Sequence, residues 1–292
     1  MAKEFQELTI KDSFMFSAVM ENEEMCRQLL EIALSMKILS VTVITEKTLS
    51  YHPDYHGVRL DVWAEEHGTR RRFNVEMQVE RIKNLPRRIR YYHTQMNVDV
   101  LATGKDYDQL PDTYVIFICD FAPFESEKCL YRYTFRTLCD EDDRKLDDGN
   151  ITVILSTKGQ NDGEIPKELL HFLKYVENPQ YPAEDTVSDQ YVRSLDRQVA
   201  AIKRNRDWEA KFVLFKEMMN KERETGRQQG HREYILELLK KQGTVPEDIF
   251  HKLNQTEDPE ILKQWLFEAA QMKSFEDFRE KISAIDIADQ TD

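Results

Sequence analysis

Two short runs of alternating apolar and polar residues lie close together in the chain, within residues 57–96. Apolar side chains occupy every second position of residues 60–64 and again of residues 73–79. A period of two is typical of half-buried β-strands. The intervening Glu66-His67-Gly68-Thr69 is typical of a turn, because Gly68 can adopt a positive φ. The pattern therefore predicts a β-hairpin.

The polar faces of these two strands carry Asp61, Glu76 and Gln78. A turn centred between Gly68 and Thr69 sets Asp61 opposite Glu76, and a two-residue slip makes them diagonal neighbours, still within reach of side-chain contact. In either register Asp61, Glu76 and Gln78 converge on one face. Two carboxylates directly across a sheet repel each other, and a hard cation such as Mg²⁺ relieves that repulsion by taking oxygen ligands. Two interpretations stay open at this point: a metal site, or the solvated polar face of a surface hairpin.

A carboxylate on one strand, followed by E-x-K on the next and then by a helix, is the signature of the PD-(D/E)xK nuclease superfamily. The runs RLDV (59–62), NVEMQ (74–78) and LPRRIRYYHTQM (85–96) resemble its Rpn-type, transposase-like branch of recombination-promoting nucleases. The likeness extends from about Thr9 to about Tyr175. It implies an α/β, restriction-endonuclease-like sandwich in which helices flank a central mixed sheet.

The resemblance also implies a site. The family residues that match Asp61 and Glu76 bind a divalent cation, Mg²⁺ or Mn²⁺, and the main-chain carbonyl that matches Met77 assists. The third catalytic position, a lysine in the family, is Gln78 here, and Leu60 stands where the family name has its proline. Some restriction enzymes of the superfamily also carry Gln at the lysine position. The site is therefore expected to bind metal, with turnover depending on how the missing lysine is replaced.

The helix that follows is predicted from Asn84 to Thr103, with Gly104 as its stop signal. It presents a set of cationic, aromatic and amide side chains at helical spacing, which could contact a phosphate backbone or splayed bases. These side chains are those of Arg88, Tyr91, Tyr92 and Gln95. The alternative is that the two tyrosines pack in the core. By family resemblance, Gln95 or a nearby basic residue could substitute for the lysine.

The other elements complete a mixed α/β order. Helices are expected at 12–37, with a break near Glu21-Asn22, and at 165–176, and strands at 38–51, 113–121, 129–138 and 151–156. In the superfamily an acidic residue of the first helix sometimes joins the site, and Glu31 and Asp12 are the candidates here. Their alternative role is as surface or capping carboxylates.

Residues 178–185 have the composition of a linker, and residues 187–285 look entirely helical, interrupted at Gly226 and Gly230. The sequence thus predicts a nuclease-like domain at 1–180 and a helical region at 181–292. The acidity of the second region argues against a DNA-reading helix-turn-helix, so packing, homo-oligomerisation or partner binding is the expected role.

Composition and charge limit the classes of binding partner and the cellular location that the sequence favours. The 292 residues carry a net charge of −13, which argues against a generally basic nucleic-acid binder, but residues 70–90 hold eight basic residues against two acidic ones. The four cysteines show no C-x-x-C pairing and are expected to be reduced.

No signal region and no membrane-length apolar window is present, so a cytoplasmic protein is expected. His52, Asp54 and His56 surround a proline and are expected to form a loop without metal.

These observations favour a divalent-metal-dependent DNA endonuclease, with a link to recombination or mobile elements suggested by the family. The alternative is a nuclease fold whose catalysis is weakened and which serves as a nucleic-acid- or protein-binding module.

Overall fold

The computed structural model describes residues 3–49, 58–98, 100, 106–180 and 189–288. Within this part the chain divides into two compact units, one ending at Glu209 and one beginning at Ala210. The His52–His56 loop, the end of the predicted helix at Thr103 with its stop at Gly104, and most of the predicted linker lie outside the described residues. No described helix is both long and apolar enough to cross a membrane.

The first unit alternates helices with the strands of one sheet. Its elements are α1 (Ser13–Met20), α2 (Glu23–Leu34), β1 (Val41–Leu49), β2 (Val58–Glu66), β3 (Arg72–Gln78), α3 (Leu85–Val98), β4 (Thr113–Cys119), β5 (Arg132–Phe135), β6 (Asn150–Ser156), α4 (Lys167–Glu177) and α5 (Gln190–Lys203). Short 3-10 turns occupy Phe5–Glu7, Tyr107–Gln109 and Asp162–Glu164. The predicted break in the first helix is present, since the Asn22 side chain accepts hydrogen bonds from the first N–H groups of α2.

The six strands form a mixed sheet in the order β1-β2-β3-β4-β6-β5. β1, β2 and β3 are antiparallel neighbours, β4 lies parallel to β3 and to β6, and β5 closes the edge antiparallel to β6. α3 connects β3 to β4, as a parallel pair requires. This arrangement, a mixed sheet with flanking helices and a helical C-terminal region, is the predicted PD-(D/E)xK-type α/β fold.

The hairpin of β2 and β3 is buried on both faces rather than on one. Phe73 and Val75 point to one face and are fully buried, as the alternation predicted. The opposite face, which carries Trp63, Asn74 and Glu76, is also buried, because α3 packs across it. The interpretation of this face as the solvated side of a surface hairpin is therefore wrong.

The second unit begins within α6 (Arg206–Lys240) and continues through α7 (Glu247–Gln255), α8 (Pro259–Gln271) and α9 (Phe275–Ala288). It has its own core, in which Trp265 and Phe278 are almost fully buried. A two-pronged ion pair joins Arg279 of α9 to Asp248 of α7 at 2.7 and 3.0 Å. α6 runs without a break through Gly226 and Gly230, so the expected interruption there was wrong.

Candidate active site

Asp61 and Glu76 lie side by side on β2 and β3. The strands pair Val62 with Val75 and Trp63 with Asn74, the register predicted from a turn at Gly68, whose φ is +76°. The Asp61 N–H donates to Glu76 Oε1 at 3.3 Å, and the Met77 N–H donates to Asp61 Oδ2 at 3.1 Å. The two carboxylates therefore stand next to each other, each held by a main-chain hydrogen bond.

Both acids have raised pKa values. Burial is the largest cause for each, because a low-dielectric environment penalises the ionised form. The charge of Asp61 raises the pKa of Glu76 further, while the Arg88 guanidinium, the Asn74 amide and the Asp61 N–H oppose the shift. For Asp61, the hydrogen bond from Met77 and the charges of Arg88 and Arg59 oppose it. Protein cations thus offset only part of the cost of ionising this pair.

This donor set suits a divalent cation. Carboxylate oxygens and a main-chain carbonyl are hard oxygen ligands, and Mg²⁺ sites commonly hold one or two carboxylates and leave other positions to water and phosphate. The Met77 peptide, whose carbonyl is the expected third ligand, directly follows Glu76 and touches the Asp61 carboxylate through its N–H. Among the residues that the structure describes, no cluster of three or more His, Cys, Asp or Glu side chains could hold a metal.

Glu46 is a third acidic residue in the same row, and the sequence analysis missed it. The pairs Thr45–Val62 and Lys47–Leu60 place it opposite Asp61 on β1. Its carboxylate accepts from Ser17 Oγ at 3.2 Å and pairs with Arg59 Nε at 3.0 Å. Glu46 has a φ of +54°, which interrupts the regular alternation of β1, so a period-two pattern could not have located it.

Arg88 reaches the carboxylate pair from α3. Its Nη2 lies 3.5 Å from Glu76 Oε2, and its Nε donates to the Tyr92 hydroxyl at 2.6 Å. The guanidinium also lies over the rings of Tyr92 and Phe117, at 5.1 and 5.9 Å from their centroids. The Arg88 side chain is 37% exposed, so one cation stands between the buried Glu76 and solvent.

The structure corrects the expectation that Tyr92 and Gln95 contact nucleic acid. Both are buried, and the Tyr92 ring stacks on Phe117 with its hydroxyl bound by Arg88. Tyr91 is half-buried and packs against the same core. These side chains face the sheet because Leu85, Ile89 and Met96 draw the apolar side of α3 onto it. The structure therefore agrees with the alternative interpretation, in which the two tyrosines pack in or against the core.

Gln78 ends β3, two residues after Glu76. Its side-chain Nε2 donates to the Glu80 carbonyl at 2.8 Å, and its own carbonyl accepts from the Asp120 N–H at 2.9 Å. Two lysines lie near this end of the sheet, but both bind Asp120: Lys11 Nζ at 2.6 Å and Lys158 Nζ at 3.1 Å. Arg88, by contrast, contacts Glu76 directly.

The two other acids proposed from the family pattern have local roles. Asp12 precedes α1 and accepts from the Thr9 N–H at 2.8 Å and from Lys3 Nζ at 2.7 Å. Glu31 accepts from the Ile38 N–H at 3.0 Å and pairs with Arg27 at 2.8 Å. The structure shows no hydrogen bond from either acid to Asp61 or Glu76, and their contacts are those of the alternative role, surface or capping carboxylates.

No curated protein and no solved structure shows significant similarity to the chain. The family described as PD-(D/E)XK nuclease family transposase matches residues 13–180, which is more than half of the chain. The matched segment contains both carboxylates, Arg88 and all six strands of the sheet. The chain belongs to the PD-(D/E)XK nuclease family transposases.

Proposed function

We propose that the protein is a divalent-cation-dependent DNA endonuclease whose metal-binding carboxylates are Asp61 and Glu76. The observation that carries this proposal is the buried, hydrogen-bonded carboxylate pair, whose negative charge the guanidinium groups of Arg88 and Arg59 offset only in part. Two acids that are costly to ionise without a cation are a typical feature of a functional site. Membership of a nuclease family supports the reaction class that we propose, phosphodiester hydrolysis.

Each residue of the site has a separate task. Asp61 and Glu76 hold the cation, and their main-chain hydrogen bonds fix their orientation. When bound, Mg²⁺ or Mn²⁺ would polarise the phosphodiester and activate the attacking water. Arg88 stabilises the ionised form of Glu76, and its exposed part would bind a phosphate oxygen as negative charge develops there. The Gln78 amide can orient a water by hydrogen bonding, but it cannot take up a proton.

The basic window at 70–90 supplies part of the DNA surface. Arg71 pairs with Glu66 at 2.6 Å, Arg72 pairs with Glu65 at 3.3 Å, and Arg70 donates to the Asp108 carbonyl, so these three cations stabilise the fold. Lys83 and Arg87 are exposed beside the start of α3. We propose that these two, with Arg88, contact the phosphate backbone, and that affinity for DNA falls steeply with salt.

One observation favours a second candidate function. Gln78 occupies the lysine position, and its amide is engaged with the Glu80 carbonyl at 2.8 Å. Because general acid–base catalysis contributes about 10²- to 10⁴-fold, a site without it could bind metal and DNA with little turnover. The alternative proposal is accordingly a binding module that retains the nuclease fold.

The proposed partner for the C-terminal helices is a second copy of the chain. Leu214 and Met218 stand one helical turn apart on α6 and are 66% and 42% exposed. An apolar strip of this kind is a candidate helix–helix contact. Light scattering should give a mass above that of one chain for the wild type, and a smaller mass for Leu214→Lys. A monomeric wild type at micromolar concentration would remove this proposal.

A plasmid-nicking assay tests the proposed reaction. We expect nicking with Mg²⁺ or Mn²⁺, loss of nicking in EDTA, and loss of at least about 10²-fold in Asp61→Ala and Glu76→Ala. Glu80→Ala is the matched control, because it removes an exposed acid of the same segment and keeps the carbonyl that Gln78 binds. Absence of cleavage by folded wild type, on single- and double-stranded DNA and with both metals, would refute the enzyme. Metal-dependent DNA binding without cleavage would then support the binding module.

A further inference from the structure

α3 borders a second concave site on its other flank. A cavity of about 540 Å³ opens between α3 and the β5–β6 edge of the sheet, within the size range of small-molecule sites. Its wall on α3 includes Arg90, His93 and Asn97, and its opposite wall includes Phe124, Phe135 and Arg136. None of these residues takes part in the carboxylate site.

The helical period separates the two sites. Arg90, His93 and Asn97 are spaced by three and four residues, so they share one side of α3. Arg88 and Tyr92, which contact Glu76 and Phe117, are spaced by four and lie on another side. The apolar side between them packs on the sheet. One helix thus presents one flank to the carboxylate pair and another flank to the cavity.

The apolar part of the cavity is aromatic. The rings of Phe124 and Phe135 meet edge to face, with centroids 5.7 Å apart and planes inclined by 65°. Phe135 is 46% exposed although it is a large apolar side chain on a strand. Ile89 and Ile154 form the buried floor. An exposed ring above an apolar floor is suited to stack against a flat, aromatic ligand.

The polar part of the cavity has unused hydrogen-bonding capacity. Among the described residues, neither the Arg90 nor the Arg136 guanidinium makes a hydrogen bond or an ion pair, and both side chains line the cavity. Oδ1 of Asn97 is buried and has no hydrogen-bond partner among the residues that the structure describes. A buried acceptor without a partner is costly, so a ligand donor there would be favourable.

The remaining polar groups are already satisfied. His93 is held between the hydroxyls of Thr113 and Thr152, at 2.7 and 3.0 Å from its two ring nitrogens, and serves as a rigid wall. The Asp148 carboxylate at the rim accepts hydrogen bonds from Thr137 and from Asn150. The groups available to bind a ligand in the cavity are therefore two guanidinium cations, one buried hydrogen-bond acceptor and an aromatic surface.

We propose that this cavity binds one nucleotide. The base stacks on Phe135, Arg90 and Arg136 bind the phosphate, and Asn97 Oδ1 accepts a hydrogen bond from an exocyclic amine of the base. Two guanidinium groups suit a phosphate because each offers several donors in a planar fork. The amine contact predicts preference for adenine over thymine, which has no exocyclic amine. The ligand class rests in part on the proposed function, which makes a strand of DNA the nearest source of such a nucleotide; a free nucleotide has the same chemistry.

The test is a binding titration in EDTA, which removes metal-dependent cleavage from the measurement. dAMP, dTMP and a fluorescein-labelled pentamer of dA are titrated against the full chain by calorimetry or fluorescence anisotropy. We expect Kd to rise about tenfold in Phe135→Ala, the loss of one stacking contact, and at least tenfold in Arg136→Ala. Phe267→Ala and Arg193→Ala, which replace an exposed ring and an exposed guanidinium away from the cavity, are the matched controls. dAMP should bind several-fold more tightly than dTMP.

The outcomes separate the ligand sources and the two proposals. Tighter binding of the pentamer than of dAMP supports a subsite for the DNA strand, whereas binding of dAMP alone supports a free nucleotide. Absence of binding by both up to millimolar concentration, or binding that the two cavity variants leave unchanged, would overturn the inference. Plasmid nicking with no nucleotide binding overturns only the cavity proposal. Nucleotide binding with no nicking leaves the cavity proposal standing and counts against the endonuclease.

Discussion

The main chain of Asp61 donates a hydrogen bond to the side chain of Glu76 at 3.3 Å, so the first carboxylate-bearing residue orients the second. The relation is completed by the Met77 N–H, which binds the Asp61 carboxylate at 3.1 Å. This exchange between neighbouring strands keeps two like charges together against their mutual repulsion. Holding the two carboxylates together therefore costs the folded state electrostatic free energy, and a stability measurement can detect that cost.

Glu76→Gln should stabilise the protein in the absence of metal. A carboxyl group whose pKa is raised in the folded state destabilises that state at every pH above its unfolded pKa of about 4.5, because the unfolded chain ionises more readily. We expect the free energy of unfolding at pH 7 in EDTA to rise by roughly 1–3 kcal/mol. The gain should shrink as the pH falls towards 5. Urea denaturation of wild type and variant at both pH values measures it.

Glu80→Gln is the control for that experiment, since Glu80 is exposed on the same segment and should change the stability little. Stabilisation by Mn²⁺ in wild type should also be lost in Glu76→Gln, because a ligand that binds only the folded state raises its stability. A variant that is less stable than wild type in EDTA would show that Glu76 is held by favourable contacts rather than strained.

Arg88 should be needed for stability only while Glu76 is charged. Removing one partner of a buried ion pair leaves an uncompensated charge, but Arg88 is partly exposed, so Arg88→Ala is expected to cost about 1–2 kcal/mol at about pH 9, where Glu76, whose pKa is raised to about 8, is charged. In the double variant with Glu76→Gln the additional cost of Arg88→Ala should fall below about half of that value. A double-mutant cycle in urea measures the coupling. Additive effects would indicate that Arg88 acts mainly through its packing on Tyr92 and Phe117.

Gln78→Lys should increase cleavage. Gln78 ends β3 two residues after Glu76, at the position where the family has a lysine, and a lysine there can orient and deprotonate water, whereas an amide can only orient it. We expect a single-turnover nicking rate at least about tenfold above that of wild type. Gln78→Met, of similar length but without hydrogen-bonding groups, is the matched control and should reduce the rate. An unchanged rate in both variants would assign the role of the missing lysine to Arg88 or to the metal alone.

Local pattern was sufficient to predict the register of the hairpin. Alternation in 60–64 and 73–79 predicts which residues share a face, and a turn at Gly68 gives the observed register. A two-residue slip would still have left Asp61 and Glu76 as neighbours. The mixed sheet and the helix between β3 and β4 were also predictable, because continuous apolar runs and helical periodicity are local properties.

Tertiary packing decided what the sequence could not. Period-two alternation does not say whether a polar face meets solvent or a helix, and α3 buries Asn74, Glu76 and Tyr92 together. The role of Arg88 depends on how α3 is rotated about its axis above the sheet. The sequence pattern does not determine which flank of the helix faces the carboxylate pair. The placement of the Glu46 side chain depends on a single positive φ in β1, and glutamate is not a residue type that predicts a positive φ. The individual contacts of the site therefore required the structure.

His93 should make the stability of the first unit sensitive to mild acid. Burial lowers the pKa of its imidazole to about 4, and both ring nitrogens are occupied by the hydroxyls of Thr113 and Thr152. Because the folded state holds His93 neutral, its contribution is fully present above the unfolded pKa of about 6.5 and is lost as the unfolded chain becomes protonated between pH 6.5 and about 4. We expect His93 alone to remove roughly 2 kcal/mol of stability between pH 7.5 and pH 5. His93→Gln, which cannot be protonated, should show that much less loss over the same interval, whereas His251→Gln, at an exposed position, should behave as wild type. Equal losses in wild type and His93→Gln, measured by urea denaturation with a probe in the first unit, would show that His93 is protonated in the folded state and that the two hydroxyls accept from it.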